Sequence, residues 1–144
     1  MGVDPLRDLV GEWQLVVDLP GAEDVRGHVT FEMMGRVLVQ RTMVPVREAP
    51  DSCCVVVSRP DGGYLQHYFD ARGVVRLYAM SFDRRSWTLE RTKADFSPLE
   101  FHQRFVGIIS GDGMTIDGEW QSSNDGQRWT RDFGLTYSRI IHAQ

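Results

Sequence analysis

Along Glu12-Trp13-Gln14-Leu15-Val16-Val17, polar and apolar side chains largely alternate, the period-two rhythm of a strand with one face in water. The rhythm recurs: Ile116, Gly118 and Trp120 alternate with Asp117, Glu119 and Gln121. Phe133, Leu135, Tyr137 and Arg139 likewise stand opposite Asp132, Gly134, Thr136 and Ser138. Turn signals arrive at short intervals (LPGAED, MMGR, VREAPDS, RPDGG, DARG, FDRRS, ADFSPLE, SGDG, SNDGQR) between runs rich in Val, Thr, Phe, Tyr and Trp. The pattern predicts strands over Glu12–Asp18, His28–Met34, Val37–Val46, Cys53–Ser58 and Tyr64–Phe69. It continues with Val74–Phe82, Trp87–Lys93, Glu100–Ser110, Thr115–Ser122 and Trp129–Ile140. Only Pro5–Leu9 reads as helical, a single turn with Asp4 as N-cap. About ten short strands and almost no helix make an all-β chain, an antiparallel up-and-down β-barrel, and no linker divides residues 1–144 into more than one domain.

Two hairpins carry the candidate chemistry. If DARG is a four-residue turn, Phe69 faces Val74, His67 faces Arg76 and Leu65 faces Tyr78. A second turn at DRRS pairs Phe82 with Trp87, Met80 with Leu89 and Tyr78 with Arg91. Large apolar residues then share one face with His67, Arg76, Tyr78 and Arg91. The opposite face of the middle strand, Val75, Leu77 and Ala79, is apolar too, and a one-residue slip would invert the assignment. A solid core has little use for arginines, whereas a barrel with a cavity can offer them to a bound molecule.

Composition narrows the partners. The chain of 144 residues has net charge -4 and no basic run, which argues against nucleic acid. No segment approaches the roughly 18 apolar residues of a membrane span, and the N-terminal MGVDPLRDLVGEW lacks a signal peptide's apolar core. The adjacent Cys53 and Cys54 fit neither a disulfide nor a Cys-x-x-Cys metal or redox motif, and point to a reducing cytoplasm. His28, His67, His102 and His142 are too dispersed for a metal site.

The segment DPLRDLVGEW resembles the opening of calycin-type barrels, the lipocalins and fatty-acid-binding proteins, where a helical turn precedes Gly-x-Trp, here Gly11-Glu12-Trp13. The resemblance implies that Arg139, in LTYSRI, packs over Trp13 and closes the barrel floor. HYFDARGVVRLYAM, QRFVG and DGMTIDGEWQSSNDGQRWTRDFGLTYSR are similar to a family of small bacterial lipocalin-like proteins, which implies the fold and little about function. LPGAEDVRG is too short for the helical lid of fatty-acid-binding proteins. Their carboxylate-holding Arg-x-Tyr has its spacing here in Arg76-Leu77-Tyr78, but on a middle strand. Nitrobindin-type haem barrels share Gly-x-Trp and use a His near the C-terminus; His142 follows the last strand, so no haem or other cofactor is expected.

The reading that follows is a binding module for a small, mostly hydrophobic or amphipathic molecule with an anionic or carbonyl group. His67, Arg76, Tyr78 and Arg91 would fix its polar end, and Met80, Phe82, Trp87, Leu89 and Trp120 would line the rest, joined by Gln103, Phe105 and Tyr137. The alternative is a barrel enzyme (cyclase, isomerase or hydro-lyase) with His67 as base, Tyr78 as acid and Arg76 as oxyanion stabiliser. The doubly apolar strands also leave room for a homodimer.

Overall fold

A computed structural model describes residues 5–45, 50–95 and 98–141. The chain opens with a 3-10 turn, η1 (Pro5–Leu9), and continues through β1 (Gly11–Asp18), β2 (Val25–Met34), β3 (Val37–Met43), β4 (Ser52–Ser58) and β5 (Tyr64–Asp70). It then runs through β6 (Val75–Phe82), β7 (Ser86–Arg91), β8 (His102–Ile109), β9 (Thr115–Ser123) and β10 (Thr130–Arg139). Each strand pairs antiparallel with its neighbours in sequence, and β10 returns to β1, closing the barrel. Closure leaves no edge strand to template pairing with another chain. No described helix is long and apolar enough to cross a membrane.

The expected all-β barrel is therefore observed, with shifts at element ends. β2 begins at Val25 rather than His28, β7 ends at Arg91 rather than Lys93, and β8 begins at His102 rather than Glu100. Asp4, Val46 and His142, to which the sequence reading gave a cap, a strand end and a haem comparison, lie outside the described residues.

The floor is built as the Gly-x-Trp pattern implied. Leu6 and Leu9 of η1 are buried, and Trp13 donates its indole N–H to Leu9 O at 2.9 Å. The Arg139 guanidinium lies 4.1 Å from the Trp13 ring centroid and donates to Val10 O at 2.7 Å and Asp8 O at 2.5 Å. One side chain thus satisfies two backbone carbonyls and covers an aromatic face. Gly11 is required beside it: its φ is +134° and a Cβ there would stand 2.8 Å from Arg139 Nη1.

One register differs from expectation, and it changes the site. Gly73 N–H bonds Asp70 O at 2.9 Å and Asp70 N–H bonds Val74 O at 3.1 Å, so the loop is the three residues Ala71-Arg72-Gly73, with Gly73 at φ +84°. A turn followed by a left-handed glycine is a recurrent three-residue hairpin loop. Read as four residues, DARG puts the pairing one residue out. The structure pairs Tyr68 with Arg76, His67 with Leu77 and Gln66 with Tyr78. Gln66 and Tyr68 turn inward; Leu65, His67 and Phe69 turn outward. The DRRS hairpin pairs Phe82 with Trp87 and Met80 with Leu89 as expected, but its ladder ends at Ala79 opposite Glu90, short of the expected Tyr78–Arg91 pair.

Candidate functional site

The lower barrel is solid. Trp13, Phe31, Leu38, Val56, Met80, Phe82 and Ile116 are buried there above the floor turn. The upper half encloses a cavity of about 560 Å³, within the range of small-molecule pockets. Its base is Trp87, Leu89 and Phe105; its walls include Leu15 and Val17 of β1, Trp120 of β9, and Phe133, Leu135 and Tyr137 of β10. Leu19, Ala22, Val25, Val44 and Pro50 stand at its mouth, at the barrel end opposite the floor turn.

Strand alternation explains the lining. Leu89, Phe105, Trp120 and Phe133 are successive cross-strand partners on β7, β8, β9 and β10, so they form one inward row. Phe105 can lie flat because its neighbours are glycines: a Cβ at Gly118 would meet its ring at 2.5 Å, and one at Gly107 at 3.0 Å. Rings in edge or tilted contact run from floor to rim, Trp13 to Phe31, Trp87, Phe105, Trp120, Tyr78 and Tyr68, with centroid separations of 4.9–6.5 Å.

The polar part of the wall is Gln40, Thr42, Ser52, Cys54, Gln66, Tyr68 and Tyr137. Among the described residues no Asp, Glu, Lys, Arg or His lines the cavity. Burial raises the Tyr137 phenol far above its ordinary value, and burial followed by the neighbouring Cys53 does the same for the Cys54 thiol. Burial and its hydrogen bond to Asp70 raise Tyr68. All three stay protonated near neutrality, so the lining carries no charge.

The residues nominated from sequence divide into four groups. Trp87, Leu89, Phe105, Trp120 and Tyr137 line the cavity. Met80 and Phe82 face inward but belong to the solid core beneath it. His67 is half-buried on the outer face, among Val55, Leu65, Phe69 and Leu77. The remaining four, Arg76, Tyr78, Arg91 and Gln103, are inward but stand outside the cavity. Tyr78 packs edge-on against Tyr68 and Trp120 and donates to Gln103 Oε1 at 3.0 Å; Arg76 Nη1 reaches the same oxygen at 3.4 Å. Burial raises the Tyr78 phenol, and the hydrogen bond from Arg76 offsets part of that.

Arg91 is consumed by structure. Its guanidinium makes a two-point contact with Asp95, 3.0 Å on each arm, with the two side chains 4% and 7% exposed. A second Asp95 role is to accept the Leu77 N–H at 2.7 Å, where β6 and β7 have stopped pairing. The expected acid–base trio is not assembled, since His67 points away from Arg76 and Tyr78. The sequence reading missed Gln66 and Tyr68, brought inward in the register that the left-handed Gly73 sets, and Cys54, which stands opposite Tyr68 on β4. No cluster of three or more His, Cys, Asp or Glu suited to a metal exists among the described residues.

No protein-family model matches the chain, and no curated protein matches it either. Solved structures do. The crystal structure of Rv2717c from M. tuberculosis is similar at a TM-score of 0.61 with 16% identity, over 96% of this chain and 99% of that one. A de novo designed fluorescence-activating β-barrel is similar at a TM-score of 0.50 with 12% identity, over 96% of this chain and 100% of that one. At such identities the likeness is one of fold, a closed antiparallel barrel.

Proposed function

We propose that the protein is a calycin-like binding module that takes a small, mostly apolar and uncharged molecule into the upper half of its barrel. The observation that carries this is the cavity of about 560 Å³ with aromatic and aliphatic walls and no charged group among the described residues that line it. Of the two polar ends anticipated from sequence, we favour the carbonyl over the anion, because no charged side chain among the described residues lines the cavity. A carboxylate in the cavity would find Arg91 already held by Asp95 and Arg76 outside the lining, where it reaches the neutral Gln103 at 3.4 Å, and burying an unpaired charge is expensive. The designed barrel is a fluorescence-activating one, which agrees with a fold of this kind housing a small molecule. Among the described residues that line the cavity, no gathered acid–base group supports the enzyme alternative.

The test is a matched pair, 1-octanol and octanoate at pH 8, measured by equilibrium dialysis. The alcohol is expected to bind at one site and the carboxylate at least about tenfold more weakly, the cost of burying an unpaired charge. Leu135→Trp, which places a large ring in the cavity, should abolish alcohol binding while the protein stays folded. Equal affinity for both compounds, or alcohol binding that survives Leu135→Trp, overturns the reading.

A further inference from the structure

The cavity has two unlike sides. In the closed order of strands, β3, β4 and β5 stand across the barrel from β8, β9 and β10. Each residue that β3, β4 and β5 contribute to the lining carries a polar atom: Gln40 and Thr42, Ser52 and Cys54, Gln66 and Tyr68. The facing arc, from β7 round to β1, is aliphatic and aromatic, with Leu15, Leu89, Phe105, Trp120, Phe133 and Leu135. Tyr137 brings a hydroxyl to that arc, and Gln40 donates to it. Within the polar arc, Gln40, Cys54 and Gln66 are sealed, at 6%, 5% and 3% exposed, and Tyr68 gives its hydroxyl to Asp70 at 2.8 Å. Thr42 and Ser52 differ. Both are half-buried, and they are cross-strand partners one inward step below the rim residues Val44 and Pro50.

Directly paired residues on one face of a sheet hold their Cβ atoms about 5 Å apart, so a single ligand oxygen can meet both hydroxyls. Thr42 Oγ1 accepts the Gln40 amide at 3.5 Å, which leaves its own O–H to donate, and the Ser52 hydroxyl can also donate. Resting on the binding reading above, we propose that Thr42 and Ser52 are the polar subsite of the cavity, and that the occupant is an uncharged molecule with an apolar body and one neutral acceptor oxygen at its mouth-side end. The body lies against the β7–β1 arc, and the oxygen takes hydrogen bonds from the two hydroxyls. Ketones, aldehydes and esters with a bulky apolar body have this chemistry. Plain hydrocarbons lack the oxygen, and fatty acids bring a charge that two neutral hydroxyls do not offset. Sugars, polar all round, would press hydroxyls against Leu89 and Phe105.

Two probes of one shape test it, 2-acetylnaphthalene and 2-isopropenylnaphthalene, which differ in a C=O against a C=CH2. Equilibrium dialysis measures both on the wild-type protein, Thr42→Val, Ser52→Ala and the double variant. The readout is the ratio of acetyl to isopropenyl affinity within each protein, which cancels changes in packing. That ratio should fall roughly three- to tenfold for each hydroxyl removed, as one hydrogen bond provides, and furthest in the double variant. If both probes bind and the ratio is the same in the double variant as in the wild type, the subsite is wrong and the cavity reading stands. A fall in only one of the single variants overturns the two-hydroxyl assignment. If neither probe binds the wild type, the cavity reading fails and this inference with it. Valine suits a strand and alanine removes a single atom; should the double variant still not fold, the two single variants decide the matter.

Discussion

Replacing Arg91 with methionine separates an internal tie from a ligand anchor. In the folded protein the guanidinium holds Asp95 through two contacts of 3.0 Å and donates to Pro98 O at 3.3 Å. Methionine fills much of the same volume and removes the charge. Asp95 then remains buried at 7% exposure, keeping the Leu77 N–H but losing its cation. Breaking one side of a buried pair costs about 3–5 kcal/mol, a large share of the roughly 5–15 kcal/mol that stabilises a typical domain. Changing Asp95 to asparagine in the same chain removes the stranded charge yet leaves an amide oxygen for Leu77. The double variant should therefore recover most of the loss, with a coupling energy of about 2 kcal/mol or more. Urea unfolding followed by circular dichroism measures all four members of the cycle. Octanol affinity should not change in any of them that remains folded. A loss below about 1 kcal/mol in Arg91→Met, or the same loss with and without Asp95, would refute the reasoning.

Other consequences are as direct. Burial would raise the Asp70 carboxyl, but hydrogen bonds from Arg72 and Tyr68 and the Arg72 and Val74 backbone N–H groups outweigh it and hold the group at about 2, below its ordinary 3.8. Its folded value is depressed, so its contribution, about 1–2 kcal/mol after discounting for the exposed Arg72, is complete above about pH 5 and is lost as pH falls through 2. Asp70→Asn should flatten the acid limb of a stability profile between those limits, and an unchanged limb would contradict this. Gly118→Ala drives a methyl into the Phe105 ring and should destabilise by about 1–3 kcal/mol, visible as a lower urea midpoint. Arg139→Ala uncovers Trp13 and releases the Val10 and Asp8 carbonyls, for a loss of about 1–3 kcal/mol; a melt identical to wild type would remove the floor from the account. Burial keeps the Cys54 thiol protonated, so iodoacetamide at pH 8 should leave it unlabelled in peptide maps of the native protein and modify it after unfolding.

Much of the barrel was legible because its strands are regular. Period-two alternation in β1, β9 and β10 identified the inward sets Trp13, Leu15, Val17, then Ile116, Gly118, Trp120, then Leu135, Tyr137, Arg139. The DRRS hairpin had a unique apolar pairing, read correctly. DARG did not, because β6 carries apolar residues on both faces: Val75, Leu77 and Ala79 point outward beside Val55 and Leu65. With no polar face to break the tie, one glycine in a left-handed conformation decided the register. The Arg91–Asp95 pair was hidden for another reason. It joins a strand to an irregular segment four residues on, and alternation says nothing about where such a segment folds back.

The four tryptophans fall into two structural classes. Trp13 is covered by Arg139 and Trp129 by Arg104, each guanidinium 4.1 Å from its ring centroid, while Trp87 and Trp120 line the cavity. A molecule that entered the barrel as proposed would touch Trp87 and Trp120 and stand away from the two arginine-covered rings. If the binding reading holds, the first pair should therefore report occupancy less than the second, and intrinsic emission should follow binding without any label.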